Sequence, residues 1–242
     1  EIKPYFSLES VRNGLYYVAN KLYGITLTEL NNVSVYEPDV KVYEVKDADG
    51  AYLGLFYADY FPRTGKRGGA WMSNFREQAG DVRPLIYNVA SFTKPAGDMP
   101  SLLTLDEVET MFHEFGHALH GMLTKCNYLG VSGTNVAQDF VELPSQIMEH
   151  WAVEPEVLKV YAKHYKTGEV IPDELIRKIQ DQNTFNQEFM TTELLAAALL
   201  DMELHNLTDT ASLDVVAFEK AVMDKLGLIP EIAPRYRATY FN

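Results

Sequence analysis

The sequence predicts a mainly α-helical protein with a small antiparallel β-sheet, an α+β architecture in which the sheet precedes the main helical body. Three observations carry that expectation. Apolar residues recur at helical spacing in residues 7–23 and again through most of the chain after Thr104. Between these stretches, residues 40–61 switch to strand-type patterning around an Asp47-Ala-Asp-Gly50 turn. Finally, Met111, Phe112, Phe115, Ala118 and Leu119 mark a buried helix with His113 and His117 set into it.

Taken in order, Ser7 is a plausible N-cap for a helix whose apolar face is Leu8, Val11, Leu15, Val18 and Leu22, with Gly24 as its stop. Residues 1–35 form a helical lead-in on this reading. Val40, Val42 and Val45, the turn, and then Ala51 to Phe61 make a β-hairpin. Pro62 to Gly69, with the short basic cluster Arg63-Thr-Gly-Lys66-Arg67, reads as a loop. Trp71–Gln78 reads as a short helix, and Pro84–Phe92 as a strand that completes a sheet portion over 36–95. Thr104-Leu-Asp-Glu107 is a capping box that opens a long helix ending near Thr124. A Gly- and Asn-containing connection over 125–138 follows, then helices near 155–166, 172–182, 184–206 and 213–226, filling a helical portion over 104–242.

Bulk properties narrow the function classes. A chain of 242 residues buries a sizeable core, here read as one domain over 1–242. A formal charge of −13 lacks the basic face that nucleic-acid binding needs. No apolar run approaches the roughly 18 residues of a membrane span, and the N-terminus shows no signal-peptide pattern. Cys126 is the single cysteine, which excludes an internal disulfide and favours the cytoplasm. No partner base marks it as a nucleophile.

The chemistry lies in His113-Glu114-Phe-Gly-His117. Histidines four residues apart share one helix face, one turn apart. They suit two of the three protein ligands of a catalytic zinc, one Zn2+ per chain, and Glu114 is placed as general base for its water. HExxH alone recurs by chance, so a third ligand is required. Glu142 lies 25 positions after His117, in a segment where Phe140, Val141, Ile147, Met148 and Trp151 form the apolar side of a second helix. Together they make a His2Glu set. Ligand histidines need acceptors on their second nitrogen, and Asp139, Ser145 and Glu149 are candidates, though Asp139 and Glu149 are equally readable as plain helix charges. His120, one turn past His117, either supports the site from behind or packs; a fourth ligand would close the open position. Asn88, Val89 and Ala90 are candidates for an edge beside the metal helix that pairs with an extended peptide, or else belong to an ordinary strand.

These residues together resemble the M3 family of zinc oligopeptidases. The family pattern is met by His113-Glu-Phe-Gly-His117, His120, Gly133, Asp139, Glu142, Pro144-Ser145 and Glu149, each at its offset. Ser132-Gly-Thr-Asn135, Asp139-Phe-Val-Glu142 and Glu149-His-Trp-Ala152 are most similar to the bacterial peptidyl-dipeptidase branch. The resemblance implies a zincin-like, monomeric metallopeptidase acting on short peptides and releasing C-terminal dipeptides. It also implies an N-terminal channel-closing domain and a C-terminal substrate-binding segment, neither of which is in residues 1–242, so the chain reads as a central catalytic fragment. Two alternatives stay open: an oligoendopeptidase of the same family, and a zinc- or peptide-binding fragment without turnover.

Overall fold

Ser7 begins the first helix as its position predicts. Its Oγ accepts the Ser10 N–H at 3.3 Å, and α1 runs Leu8–Tyr23 to a stop at Gly24, where φ is +73°. The computed structural model describes residues 1–240, with Asn183 described in its backbone only. Phe241 and Asn242, the end of the expected 104–242 portion, lie outside the described residues.

The sheet differs from the expectation in three ways. Its strands are β1 (Thr26–Leu30), β2 (Lys41–Lys46), β3 (Tyr52–Asp59), β4 (Trp71–Arg76) and β5 (Leu85–Val89), in the order β1-β2-β3-β5-β4. First, β1 falls inside the expected helical lead-in 1–35. Second, Trp71–Gln78 is mostly strand rather than helix. Cross-strand contacts with β5 decide the matter: Phe75 packs on Tyr87 with ring centroids 4.6 Å apart, and also meets Tyr57 and Tyr36. Third, the sheet is mixed, not antiparallel. The chain leaves β3, runs to the far edge as β4 and returns as β5 between them, so β5 pairs parallel with β3 and antiparallel with β4. The β2–β3 hairpin stands where the Asp47–Gly50 turn placed it.

Lys66 holds that return path. Its buried ammonium donates to the carbonyl oxygens of Asp59 (3.0 Å), Phe61 (2.8 Å) and Ala90 (2.5 Å) and to Asp59 Oδ1 (2.9 Å), tying the ends of β3 and β5 to the loop that feeds β4. Arg63 Nη1 and the Tyr36 hydroxyl also donate to the Asp59 carboxylate. Burial pushes the Asp59 carboxyl up, but these hydrogen bonds outweigh it and leave it below its usual range. Burial likewise lowers the Lys66 ammonium, against the pull of Asp59. With four oxygens around it, the ammonium stays charged, and the pair is an ionic clamp.

The capping box forms as predicted, with Thr104 Oγ1 accepting from Glu107 N–H and Glu107 Oε2 accepting from Thr104 N–H. It starts α2 (Leu105–Leu123), which packs on β3, β4 and β5 and buries Met111, Phe112, Phe115 and Met122, with Phe112 facing Tyr161. Phe115 meets Phe56 of β3 edge to face at 5.3 Å. α3 spans Leu143–Ala152, three residues later than a helix through Phe140 would begin, because Pro144 fits a helix only in its first turn. Phe140 and Ile147, expected on its apolar side, are exposed, whereas Met148 is buried. α4 (Pro155–Tyr161), α5 (Asp173–Thr184), α6 (Gln187–His205) and α7 (Val215–Lys225) complete the helices. The chain divides into two compact units, Glu1–Ile179 and Gln180–Asn242. The second has its own small core of Ala196, Leu200, Val222 and Met223. Among the described residues, no helix is long and apolar enough to cross a membrane.

Gly116 sets the distance between α2 and α3. A Cβ there would stand 2.6 Å from Ser145 Cα and 2.7 Å from the Pro144 carbonyl oxygen, backbone atoms that cannot rotate aside. Gly116→Ala is expected to cost about 2 kcal/mol of overpacking, lowering Tm by about 6 °C in a thermal melt. Asp59 yields a second expectation. A carboxyl lowered in the folded state contributes stability above its unfolded pKa of about 3.9, lost as pH falls through the folded value. The Tm gap between the native protein and Asp59→Asn should therefore be widest near neutral pH and narrow below about pH 4.

Candidate active site

The HExxH spacing places His113 and His117 on one face of α2, their rings 4.9 Å apart. Glu142 is the N-cap residue of α3, and the Gly116 approach brings it over that face. Glu142 Oε2 lies 3.2 Å from His113 Nε2 and 3.1 Å from His117 Nε2. These three groups are the described cluster whose ligand atoms could hold a metal ion. Two ligands about 2.05 Å from a tetrahedral ion stand about 3.3 Å apart, so both measured separations fit edges of one coordination shell.

The surrounding groups tune this set. Ser145 Oγ donates to Glu142 Oε2 at 2.8 Å. Burial raises the Glu142 carboxyl, but the Ser145 hydrogen bond and the two histidines more than reverse it, keeping it ionised. Burial pushes His117 down, toward the neutral form that a metal requires. Glu149 Oε1 stands 2.5 Å from His113 Nδ1, so that nitrogen donates and Nε2 is left free to coordinate. Of the residues expected behind the ligands, Glu149 therefore meets a histidine and Ser145 meets the glutamate. Among the described residues Asp139 hydrogen-bonds neither histidine, and His117 Nδ1 is buried without a partner. His120 is outside the ligand cluster; it packs on Phe140 with ring centroids 6.3 Å apart, and burial lowers its pKa.

Glu114 turns into the same space. It lines a cavity of about 380 Å³ with His113, His117, Glu142, Ala70, Trp71 and Met72. Its Oε2 is buried and has no hydrogen-bond partner. Burial, with a smaller push from Glu142 and against the pull of His113, raises its carboxyl to about 7.

Asn88, Val89 and Ala90 do not form an edge. β5 is flanked by β3 and β4, and all three residues are buried. The outer strand on that side is β4, and its first residues, Trp71 and Met72, line the cavity together with Ala70 just before them. Reading 71–78 as a helix hid them; the Gly68-Gly69 pair just ahead, a poor helix start, was the signal available in the sequence.

A histidine pair and adjacent glutamate on one helix, with a carboxylate from the start of the next, form a cluster that could hold a metal ion. The comparisons give the family. The profile of Peptidase family M3 matches residues 1–242, and the chain belongs to that family. It is 48% identical over 246 residues to the dipeptidyl carboxypeptidase of Escherichia coli (strain K12), covering 100% of this chain and 36% of that protein. It is 42% identical over 211 residues to oligopeptidase A of the same organism, covering 85% of this chain and 31% of that protein. With the mitochondrial intermediate peptidase of Candida glabrata it shares 32% identity over 96% of this chain and 34% of that protein. The chain thus spans about a third of the length of these relatives.

Glu149→Ala is expected to weaken Zn2+ binding by about 10- to 100-fold in a chelator competition, because His113 loses the acceptor that fixes its tautomer.

Proposed function

We propose that this chain is the zincin-like catalytic core of a zinc-dependent peptidase that hydrolyses short oligopeptides and releases C-terminal dipeptides. The observation that carries the reading is Glu114 Oε2, a buried carboxylate oxygen without a partner, in one cavity with His113, His117 and Glu142. Zinc binding alone would not call for it. The donor set fits zinc: two imidazole nitrogens and one carboxylate oxygen, with Glu149 and Ser145 bonded behind them.

Zinc held by His113, His117 and Glu142 would supply Lewis acidity, polarising a carbonyl and lowering the pKa of water. The chain's own groups do the remainder. Glu114 takes the proton as water attacks the scissile carbonyl, and delivers it to the departing amine nitrogen when the C–N bond breaks. Glu149 keeps His113 oriented, and Ser145 keeps Glu142 ionised. The free edge of β4 at Ala70–Met72 offers backbone groups to an extended peptide, which is recognition by strand addition. Release of dipeptides is supported by the 48% identity to a protein named dipeptidyl carboxypeptidase. The 42% identity to oligopeptidase A supports internal cleavage as the second reading.

Metal analysis should find one zinc per chain, lost in Glu142→Ala. Glu114→Gln should keep the zinc and lower kcat on a quenched fluorescent peptide by about 10³-fold. Mass spectrometry of products from a hexapeptide decides between dipeptide release and internal cuts. Zinc without turnover would leave a metal-binding fragment, and no zinc after a replete preparation would sink the proposal.

A further inference from the structure

The cavity beside His113, His117 and Glu142 has one polar lining residue that the proposed chemistry leaves without a task. Thr134 reaches it from the connection between α2 and α3, and carries the one hydroxyl among the described lining residues.

The chain around Thr134 is tied down residue by residue. Gln78, buried in the connection between β4 and β5, grips Cys126 as a neighbouring strand would. Its Oε1 accepts the Cys126 N–H at 2.8 Å, and its Nε2 donates to the Cys126 carbonyl oxygen at 3.1 Å. The Gly80 N–H donates to the same oxygen at 2.8 Å. Further on, the Gly133 N–H donates to the Thr124 hydroxyl at 3.2 Å, and the Asn135 N–H to the Ser132 carbonyl oxygen at 3.0 Å. The Asn135 side-chain amide reaches the Leu129 carbonyl oxygen at 2.9 Å and Glu77 Oε1 at 3.1 Å. A Cβ on Gly133 would stand 3.3 Å from Gly121 Cα, so this run lies directly on the back of α2.

Thr134 itself is bonded to nothing: neither its backbone groups nor its hydroxyl has a partner among the described residues. The residue is only half-buried, and its hydroxyl is not one of the sealed polar atoms, so a ligand can reach it. Fixed neighbours and unspent polar groups together make a pre-organised contact, because the cost of ordering the chain is met before anything binds. Trp71 and Met72, at the start of the outer strand β4, line the same cavity. An extended peptide paired with that strand keeps a second edge, along which its own N–H and C=O groups are unpaired. A hydroxyl donor in the same cavity suits a carbonyl oxygen on that edge.

We propose that Thr134 is a substrate-contacting residue whose hydroxyl donates to a backbone carbonyl oxygen of the peptide held along β4. The contact rests on the peptidase reading for its ligand, an extended peptide, but not for turnover.

Fluorescence anisotropy of a labelled hexapeptide on the zinc-loaded Glu114→Gln chain separates contact from cleavage. Adding Thr134→Val, which keeps the shape and removes the hydroxyl, should raise Kd about 5- to 10-fold at unchanged zinc content. Thr134→Ser, which keeps the donor, should stay within about twofold of the parent. A native chain that holds zinc and binds the peptide without cutting it ends the peptidase reading, whereas a Kd that still depends on the Thr134 hydroxyl upholds the contact. Equal Kd in the valine variant and its parent, equal weakening by valine and serine, zinc lost together with the peptide, or no peptide bound by the zinc-loaded Glu114→Gln chain overturns the proposal.

Discussion

The site depends on one close approach between two helices. Gly116 has no side chain where α2 meets Pro144 and Ser145, so the backbones come near enough for residues at the start of α3 to reach the histidines. Several consequences follow from that single contact. Glu142, at the N-cap, lands on the Nε2 atoms of His113 and His117. Ser145, one turn on, faces the same carboxylate. Glu149, seven residues or about two turns past Glu142, comes up behind His113. A helix pair held farther apart by a methyl group would present the same residues without assembling them.

A second constraint acts from the sheet side. The loop between β3 and β4 is rich in glycine and charge, and on composition alone it would be left free. Lys66 removes that freedom by capping three carbonyl oxygens and Asp59 in a nearly dry setting. Breaking such a buried pair by removing one partner is strongly destabilising, typically by about 3–5 kcal/mol. The clamp therefore fixes where β4 begins, and Ala70 and Trp71 are held beside His113 and Glu114. The Phe75–Tyr87 contact continues the anchoring along the strand. The start of α3 over α2 and the start of β4 are thus positioned by separate devices, one of sterics and one of charge.

What was legible in the sequence was local. A four-residue histidine spacing, a four-residue capping box, a Gly stop at Gly24 and an Asp-Gly turn each act within about one turn of chain, and each forms. The clustering of His113, His117 and Glu142 was legible because two short patterns met at a sensible separation. The order of β4 and β5 was not legible, since a parallel β3–β5 pairing depends on contacts 30 residues apart, such as Leu55 with Leu85. Lys66 was hidden for the opposite reason: a basic residue in a glycine-rich loop has the composition of solvent-exposed chain. Asp139 shows the converse limit. Its offset fits the family pattern, yet His117 Nδ1 has no partner among the described residues, so spacing alone did not specify the acceptor.

The unpaired polar atoms finally separate packing from function. A core of Phe6, Phe56, Phe112, Phe115, Met111 and Leu158 is apolar enough to stabilise the first unit without polar guests. Leaving a donor or acceptor buried and unmatched costs about 1–3 kcal/mol, a large fraction of a typical domain's net stability. Glu114 Oε2 and His117 Nδ1 carry that cost beside the His113, His117 and Glu142 cluster, whose ligand atoms could hold a metal ion. Arg12 and the Tyr16, Tyr43 and Tyr60 hydroxyls are buried together as well, and there the groups that act on each hydroxyl include others of the set. Phenylalanine in place of any of these tyrosines would remove the cost at almost constant volume. The hydroxyls are kept for their polar neighbours, since Arg12 and Tyr16 both act on Tyr43 through side-chain hydrogen bonds.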